Sequence, residues 1–577
     1  MSASGGRLNV VLCWHMHQPC YQDPITHEYR QPWTYLHAIK DYSDMAAHLE
    51  QVEGARAVVN FAPVLLEQLA DYGDRIRRCL EQGEEITDPL LAALASPVLP
   101  EDAEHRLRLL RACLRANPSR MIDRHPAYRE LAALARAVLA HPEGLRYVND
   151  QFLADLLVWY HLAWMGETVR RSDALVQALQ AKGHLFTLAD RHRLLRKIGE
   201  LIDGILPRYR ALAEAGRIEL SMTPYAHPIL PLLIDTAVAR EAMPEAPLPR
   251  NAPYPGGEER ARWHLREGRR IFEERLGCRP SGCWPSEGAV STRTLALLAE
   301  EGFRWAASGE AVLMNSLRRV GRHKECCRED VLFQPWRIEG AGTLHCFFRD
   351  DGLSDLIGFT YSGWDPEDAV ADFVHHLENI AASLEQPERH VVSVILDGEN
   401  AWEYYPENGH AFLRRLYARL ADHPRLRPTT FSMLLDGEPG LATDHLPSVV
   451  AGSWVYGTLS TWIGSPDKNR GWEMLIEAKA VYDRVMAAGG GDTRRREQAV
   501  HQLAICEGSD WFWWFGDYNP AESVRDFDHL FRLHLARLYQ LLGEMPPEYL
   551  GHAFTFGTEE GAPEAGGVMR HGRPPEG

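Results

Sequence analysis

Residues 8–19 read LNVVLCWHMHQP. The stretch Leu8–Cys13 is short, mostly apolar and bounded by polar residues, the pattern of a strand buried on both faces. It then breaks into Trp14, His15, Met16, His17, Gln18 and Pro19. Outward from there the unit recurs. A helical stretch around Asp41–Gln51 leads to a second apolar run, Ala57–Ala62, and further runs lie at Ile218–Met222, Phe303–Ala307, Leu344–Phe348 and Val391–Leu396. Helical patterns separate them, notably Thr292–Glu301 and Pro366–Leu384. Strands alternating with helices specify a parallel sheet or barrel, and this set predicts a single β/α barrel.

Two helical blocks interrupt or follow that alternation. From about Pro63 to Gly216 the chain reads as a helical insertion: Leu194, Ile198, Leu201, Ile205, Tyr209 and Leu212 recur at three- and four-residue steps, with Gly216 as the stop. The catalytic unit is therefore expected to span residues 1–446. Residues 447–556 read as a C-terminal helical domain that completes the site. Residues 557–577, rich in Gly, Pro and Glu, read as a disordered tail.

The composition bounds the partners. The 577 residues carry 80 acidic against 62 basic side chains, a formal charge of −18. Such a surface does not attract nucleic acid or an anionic membrane. Leu8–Cys13 is too short for a signal segment or a membrane span. The ten cysteines are scattered, with no CxxC pair, which predicts reduced thiols and a cytoplasmic location.

Chemistry-bearing residues gather where strands end, the working face of a parallel barrel. Strand 218–222 runs into Thr223–Pro228, which holds His227; strand 344–348 runs into Arg349-Asp350-Asp351; strand 391–396 runs into Asp397-Gly398-Glu399-Asn400-Ala401-Trp402-Glu403. Between them lies Cys283-Trp284-Pro285-Ser286-Glu287-Gly288. Two carboxylates, flanked by Trp284, Trp402, Tyr404 and Tyr405, suit glycoside hydrolysis. One protonates the leaving oxygen and the other attacks the anomeric carbon or activates water, while sugar faces stack on aromatic rings.

Five motifs in order then carry a resemblance: His17-Gln18-Pro19, Gly216-Arg217-Ile218-Glu219-Leu220, Trp284-Pro285-Ser286-Glu287, Asp397-Gly398-Glu399-Asn400 and Asp510–Trp514. With them the chain resembles glycoside hydrolase family 57, whose members act on α-glucans such as starch and glycogen. The resemblance implies a (β/α)7 barrel followed by a helical domain, retaining stereochemistry, and no metal or other cofactor. It implies Glu287 as nucleophile, Asp397 as general acid/base, and His17, Glu219, Asp510 and Trp513 as substrate contacts. Gln18, His227, Trp284, Glu399, Trp402 and Tyr404 are the further candidate contacts with an α-glucan or maltooligosaccharide. Arg217 stands where Gln is usual, and Trp402 and Tyr404 compete for the stacking role after Asp397. The Asp-Gly-Glu-Asn-Ala-Trp form is closer to the amylase and amylopullulanase branch than to the branching enzymes. The implied activity is hydrolysis of α-1,4 bonds, with α-1,6 bonds open. A 4-α-glucanotransferase or branching enzyme is the alternative on the same fold.

Plainer readings stand beside these. His15 and His17 form half of a zinc site if His227 or Asp351 joins them, which would make the chain a metal-dependent deacetylase or α-mannosidase-like enzyme. A glucan-binding protein without catalysis would need neither Glu287 nor Asp397. Glu219 points opposite to Ile218 and Leu220, either to the barrel mouth or to an ion pair. Glu399 is a fallback acid, and Glu403 and Glu407 read as solvated loop charges. Of Trp511–Phe515 most must be core, and Trp454, Trp462 and Trp472 either line a groove or anchor the helical domain.

Overall fold

The computed structural model describes residues 6–324, 327–437, 440–489 and 492–558. Seven parallel strands close into a barrel: β1 Leu8–Met16, β2 Ala57–Phe61, β3 Ile218–Met222, β4 Gly282–Cys283, β5 Trp305–Gly309, β6 His345–Arg349 and β7 Val391–Asp397. The ring shuts where β7 returns to β1, in register from Asn9 with Val391 to His15 with Asp397. β4 escapes the sequence pattern because it has only two residues. One of them must be glycine, since a side chain at Gly282 would lie 1.7 Å from the Trp305 indole.

Strand alternation sorts the side chains into two cores. Val10, Leu12, Trp14 and Met16 of β1 face outward into the main hydrophobic cluster under the helices. Val11 and Cys13 face inward, with Val58, Trp305, Phe347 and Ile395, and form a separate cluster inside the barrel. The helix Phe431–Asp436 plugs the bottom, with Phe431 against Trp305 and Phe347. The same alternation lifts the next inward residues to the mouth. His15 pairs with Asn60 and Asp397, and Asn60 pairs with Ser221.

Eight α-helices lie between β2 and β3, from Pro63–Gln82 to Leu188–Glu214. The last begins with a Thr187–Asp190 capping box and buries Leu194, Ile198, Ile205, Tyr209 and Leu212. Gly216, at φ +65°, turns the chain out of it into β3. The C-terminal region contains the helices Pro466–Ala487, Thr493–Cys506, Asp510–Trp514 and Ala521–Leu541. It does not begin as a helix at Pro447: residues 447–465 form an irregular crossing segment, broken by Gly452, Gly457 and Gly464. Gly452 bridges Val290, so this segment lies against the barrel mouth. Of the expected tail, Thr558 pairs with Pro520, and residues 559–577 lie outside the described residues. Among the described residues no helix is long and apolar enough to cross a membrane.

Candidate active site

At the C-terminal mouth of the barrel a narrow cleft is lined by His15, His17, Gln18, His227, Glu287, Asp397, Glu399, Asn400 and Asp510, with Tyr21, Trp514 and Phe527 on its aromatic side. Glu287 sits in a single turn, Ser286–Gly288, directly after β4. Its backbone is left-handed, φ +59° and ψ 22°, a conformation costing a non-glycine residue about 1–2 kcal/mol. Surrounding bonds hold it there. The Glu287 carbonyl accepts from the Trp454 backbone N–H at 3.1 Å, and Ser308 Oγ donates to the Gly288 carbonyl at 2.6 Å. The Trp454 indole Nε1 donates to Glu287 Oε2 at 2.9 Å. Trp454 packs this closely because β5 ends in glycine: a side chain at Gly309 would fall 2.6 Å from the Trp454 Cα.

Asp397 ends β7, and its Oδ2 accepts from Asn400 Nδ2 at 2.6 Å. Both carboxyls hold their protons more tightly than ordinary ones. Burial raises Glu287 well above the usual range, and the Asp397 charge adds to it against the Trp454 bond. Burial raises Asp397 to about 6, opposed by the Asn400 bond and by the charges of His17 and Arg349. Glu399 is also driven well up by burial and by Asp397. Its Oε1 accepts from the His17 N–H, Gln18 Nε2 and Tyr42 Oη, each at 3.2 Å.

Three imidazoles stack beside the carboxyls. The His17 and His227 rings lie 3.9 Å apart at 12°, with His15 on the His227 side at 5.1 Å. A hydrogen-bond chain runs from Asn60 Oδ1 to His15 Nδ1 (2.7 Å), from His15 Nε2 to His227 Nε2 (3.1 Å), and from His227 Nδ1 to Ser509 Oγ (2.8 Å). One ring proton on each imidazole satisfies it. Burial and the neighbouring rings accordingly push His15 down to about 3 and His227 well below its ordinary value. His17 Nε2 meets Asp510 Oδ1 at 2.9 Å. His17 Nδ1 and Glu399 Oε2 are buried in the cleft lining without a hydrogen-bond partner among the described residues. A bound hydroxyl would satisfy both.

His17, His227 and Asp510 each bring a ligand-type atom within 4.8 Å of the others. The trio is nonetheless a poor cation cage. Face-to-face rings aim their in-plane lone pairs side by side rather than at one point. Both His227 nitrogens and His17 Nε2 already bond to protein.

The other candidates lie away from this cleft. Glu219 is inward-facing but pairs with Val58, one layer below Asn60, and its carboxylate accepts from Trp305 Nε1 (2.7 Å), Ser432 N (2.8 Å) and Ser432 Oγ (2.6 Å) at the barrel floor. Trp284 is wholly buried inside the barrel, edge-on to Trp454. Trp402 donates to the Gly398 carbonyl and packs on Trp14, Tyr405 and Phe412 as core. Tyr404 is outside the lining, as is Trp513, whose ring neighbours Trp462. On the Asp510 helix it is Trp514, one full turn on, that reaches the cleft. Glu403 is buried rather than solvated, and Glu407 pairs with Arg171.

Several residues of the site carried no sequence prediction of their own: Tyr21, Phe527 and Asn400 in the lining, with Asn60 and Ser509 behind them. Asn60 had a signal, a polar side chain at an inward position of an otherwise apolar strand. Trp454 was read as either lining a groove or anchoring the helical domain, and its bond to Glu287 depends on where an irregular segment crosses.

The sequence profile of glycosyl hydrolase family 57 matches residues 11–438. No curated protein matches the chain. Among solved structures, a branching enzyme of that family from Thermococcus kodakaraensis, crystallised with glucose, superposes with a TM-score of 0.56 at 15% identity, covering 96% of this chain and 92% of that one. An α-amylase from Thermotoga maritima gives 0.55 at 15% identity, covering 93% of each chain. A 4-α-glucanotransferase from Thermococcus litoralis gives 0.51 at 13%, covering 93% of this chain and 60% of that one.

Proposed function

The chain belongs to glycosyl hydrolase family 57, and from that premise we propose that it cleaves α-1,4 bonds of starch- or glycogen-type glucans with retention, using Glu287 as nucleophile and Asp397 as acid/base. The observation that carries this reading is the pair of buried carboxyls at the barrel mouth, both raised in proton affinity. Interacting carboxyls titrate as a coupled pair, so their protons belong to the pair rather than to either residue. The first chemical step requires a proton on Asp397 and an ionised Glu287. Trp454 then steadies the Glu287 carboxylate through Oε2 and leaves Oε1 to attack the anomeric carbon. Asp397 gives its proton to the leaving O4, and in the second step withdraws one from water or from an acceptor hydroxyl. His17 Nδ1 and Glu399 Oε2 supply the polar contacts for the sugar held between the two carboxyls.

The second reading is transfer, as in a 4-α-glucanotransferase or branching enzyme. It is favoured by the near-complete enclosure of the site: Glu287 is 4% exposed and His227 1%. Excluding water gives an acceptor sugar time to intercept the glycosyl-enzyme. Wild type and Glu287→Ala are incubated with amylose and a defined maltooligosaccharide, and products and new reducing ends are followed together. Shorter products with rising reducing ends, absent from the variant, establish hydrolysis. Redistributed chain lengths at constant reducing ends establish transfer. No conversion of either substrate refutes the α-1,4-glucan assignment.

A further inference from the structure

Arg349 is a buried guanidinium at the end of β6 that the mechanism above does not use. Its Nε donates to the Ile395 carbonyl at 2.8 Å, two residues before Asp397 on the adjacent strand. Its guanidinium carbon lies over the Trp454 indole, 5.1 Å from the ring centroid, and that indole holds Glu287 Oε2. Its two remaining nitrogens grip Asp351 Oδ1 and Asp355 Oδ1, each at 2.7 Å, from the short helix that follows β6. One rigid side chain thus contacts the indole that steadies one carboxyl and the strand that carries the other.

We propose that Arg349 is a positioning residue that sets the geometry and the charge state of the Glu287–Asp397 pair, holding the first through Trp454 and the second through the end of β7. The proposal rests on the roles given to those carboxyls above. Arginine is required for it, because only a planar fork can bond the strand carbonyl, stack on the indole and reach two carboxylates at once. Its fixed charge favours the ionised form of the nearby pair. Asp351 and Asp355 face Arg349 from its own segment, with Glu310, which accepts from the Asp351 N–H and pairs with Arg328; the Glu287–Asp397 pair is itself faced by Glu399, Asp510, His17 and His227.

The test separates charge from shape. Arg349→Gln removes the charge, so both limbs of the pH–activity profile must move to higher pH, by on the order of half a unit or more. Arg349→Lys keeps the charge and loses the fork, so the limbs must stay while kcat falls about 10- to 100-fold with KM little changed. The double variant Asp351→Asn/Asp355→Asn strips counter-charge from Arg349, so the limbs must move the opposite way. Its side chains are 29% and 48% exposed, which keeps that variant foldable if Arg349→Gln is not. Infrared titration of the buried carboxyls, assigned with Glu287→Gln and Asp397→Asn, reads the same shifts without any substrate. If wild type fails on every α-glucan, the functional reading falls and the infrared shifts still decide the role of Arg349. Limbs and carboxyl bands unmoved in Arg349→Gln, or identical profiles in the Gln and Lys variants, overturn it.

Discussion

Replacing Asp397 by Asn should abolish activity and make the protein more stable at neutral pH. Burial raises the Asp397 carboxyl from 3.8 to about 6. The folded state therefore takes up its proton more readily than the unfolded chain between those values. By linkage, stability falls as pH rises through this window, and the full deficit is present above about pH 6. A difference of roughly 2 pH units at about 1.4 kcal/mol each makes the deficit roughly 2–3 kcal/mol at pH 7. Asn cannot ionise, yet its side-chain oxygen still accepts from Asn400, so the variant escapes the deficit without losing the bond. Glu287 gains too, because a like charge beside it is gone. The measurement is the unfolding midpoint of wild type and variant from pH 4 to pH 8. The variant should melt several degrees higher at pH 7.5, and the gap should close towards pH 4. A gap of equal size at both ends, or a variant less stable at pH 7.5, would refute the reasoning that burial sets this carboxyl's proton affinity.

Other expectations follow from single contacts. Trp454→Phe keeps the ring and removes the donor to Glu287 Oε2; losing one hydrogen bond to a charged group should cost kcat about 10- to 100-fold, read at saturating substrate. Glu219→Ala leaves Trp305 Nε1 and the Ser432 donors unsatisfied at the barrel floor. It should lower stability by about 2–3 kcal/mol in denaturant titration while kcat/KM of the folded fraction stays near wild type, and a selective loss of substrate affinity would return Glu219 to the site. Prolonged treatment with a strong chelator should leave turnover unchanged, because the nitrogens of His227 and Nε2 of His17 are occupied within the protein. Activity lost to the chelator and restored by Zn²⁺ would reinstate the metal-dependent reading.

The barrel was legible because its strands are apolar runs ending in polar clusters, and strand parity carries that pattern directly into space. Leu8 to His17 shows how: even positions to Met16 pack under the helices, while Val11, Cys13 and His15 climb the interior. Parity set Glu219 opposite to Ile218 and Leu220, but it could not decide between the barrel mouth and an ion pair or say at which height the carboxyl sits. That depends on register, and β3 sets Glu219 beside Val58 instead of Asn60. The aromatic contacts were read least well. Trp284, Trp402 and Trp513 adjoin the motifs in sequence, yet apolar bulk so close to a strand end or a buried helix is drawn into the core. The segment 447–465 left no periodic trace, because its course is fixed by glycines and by contacts with the barrel rather than by a repeating face.

That segment and the helix after it also bear on how the protein is made. Every barrel strand has left the ribosome before Trp454, Ser509 and Asp510 have been added. Domains fold from the N-terminal end as synthesis proceeds, so a closed barrel carrying Glu287 and Asp397 can exist while the chain is still growing. Such a barrel has both carboxyls but neither the indole on Glu287 nor the carboxylate on His17. On the reading proposed above, the site is complete only once the last helices have docked.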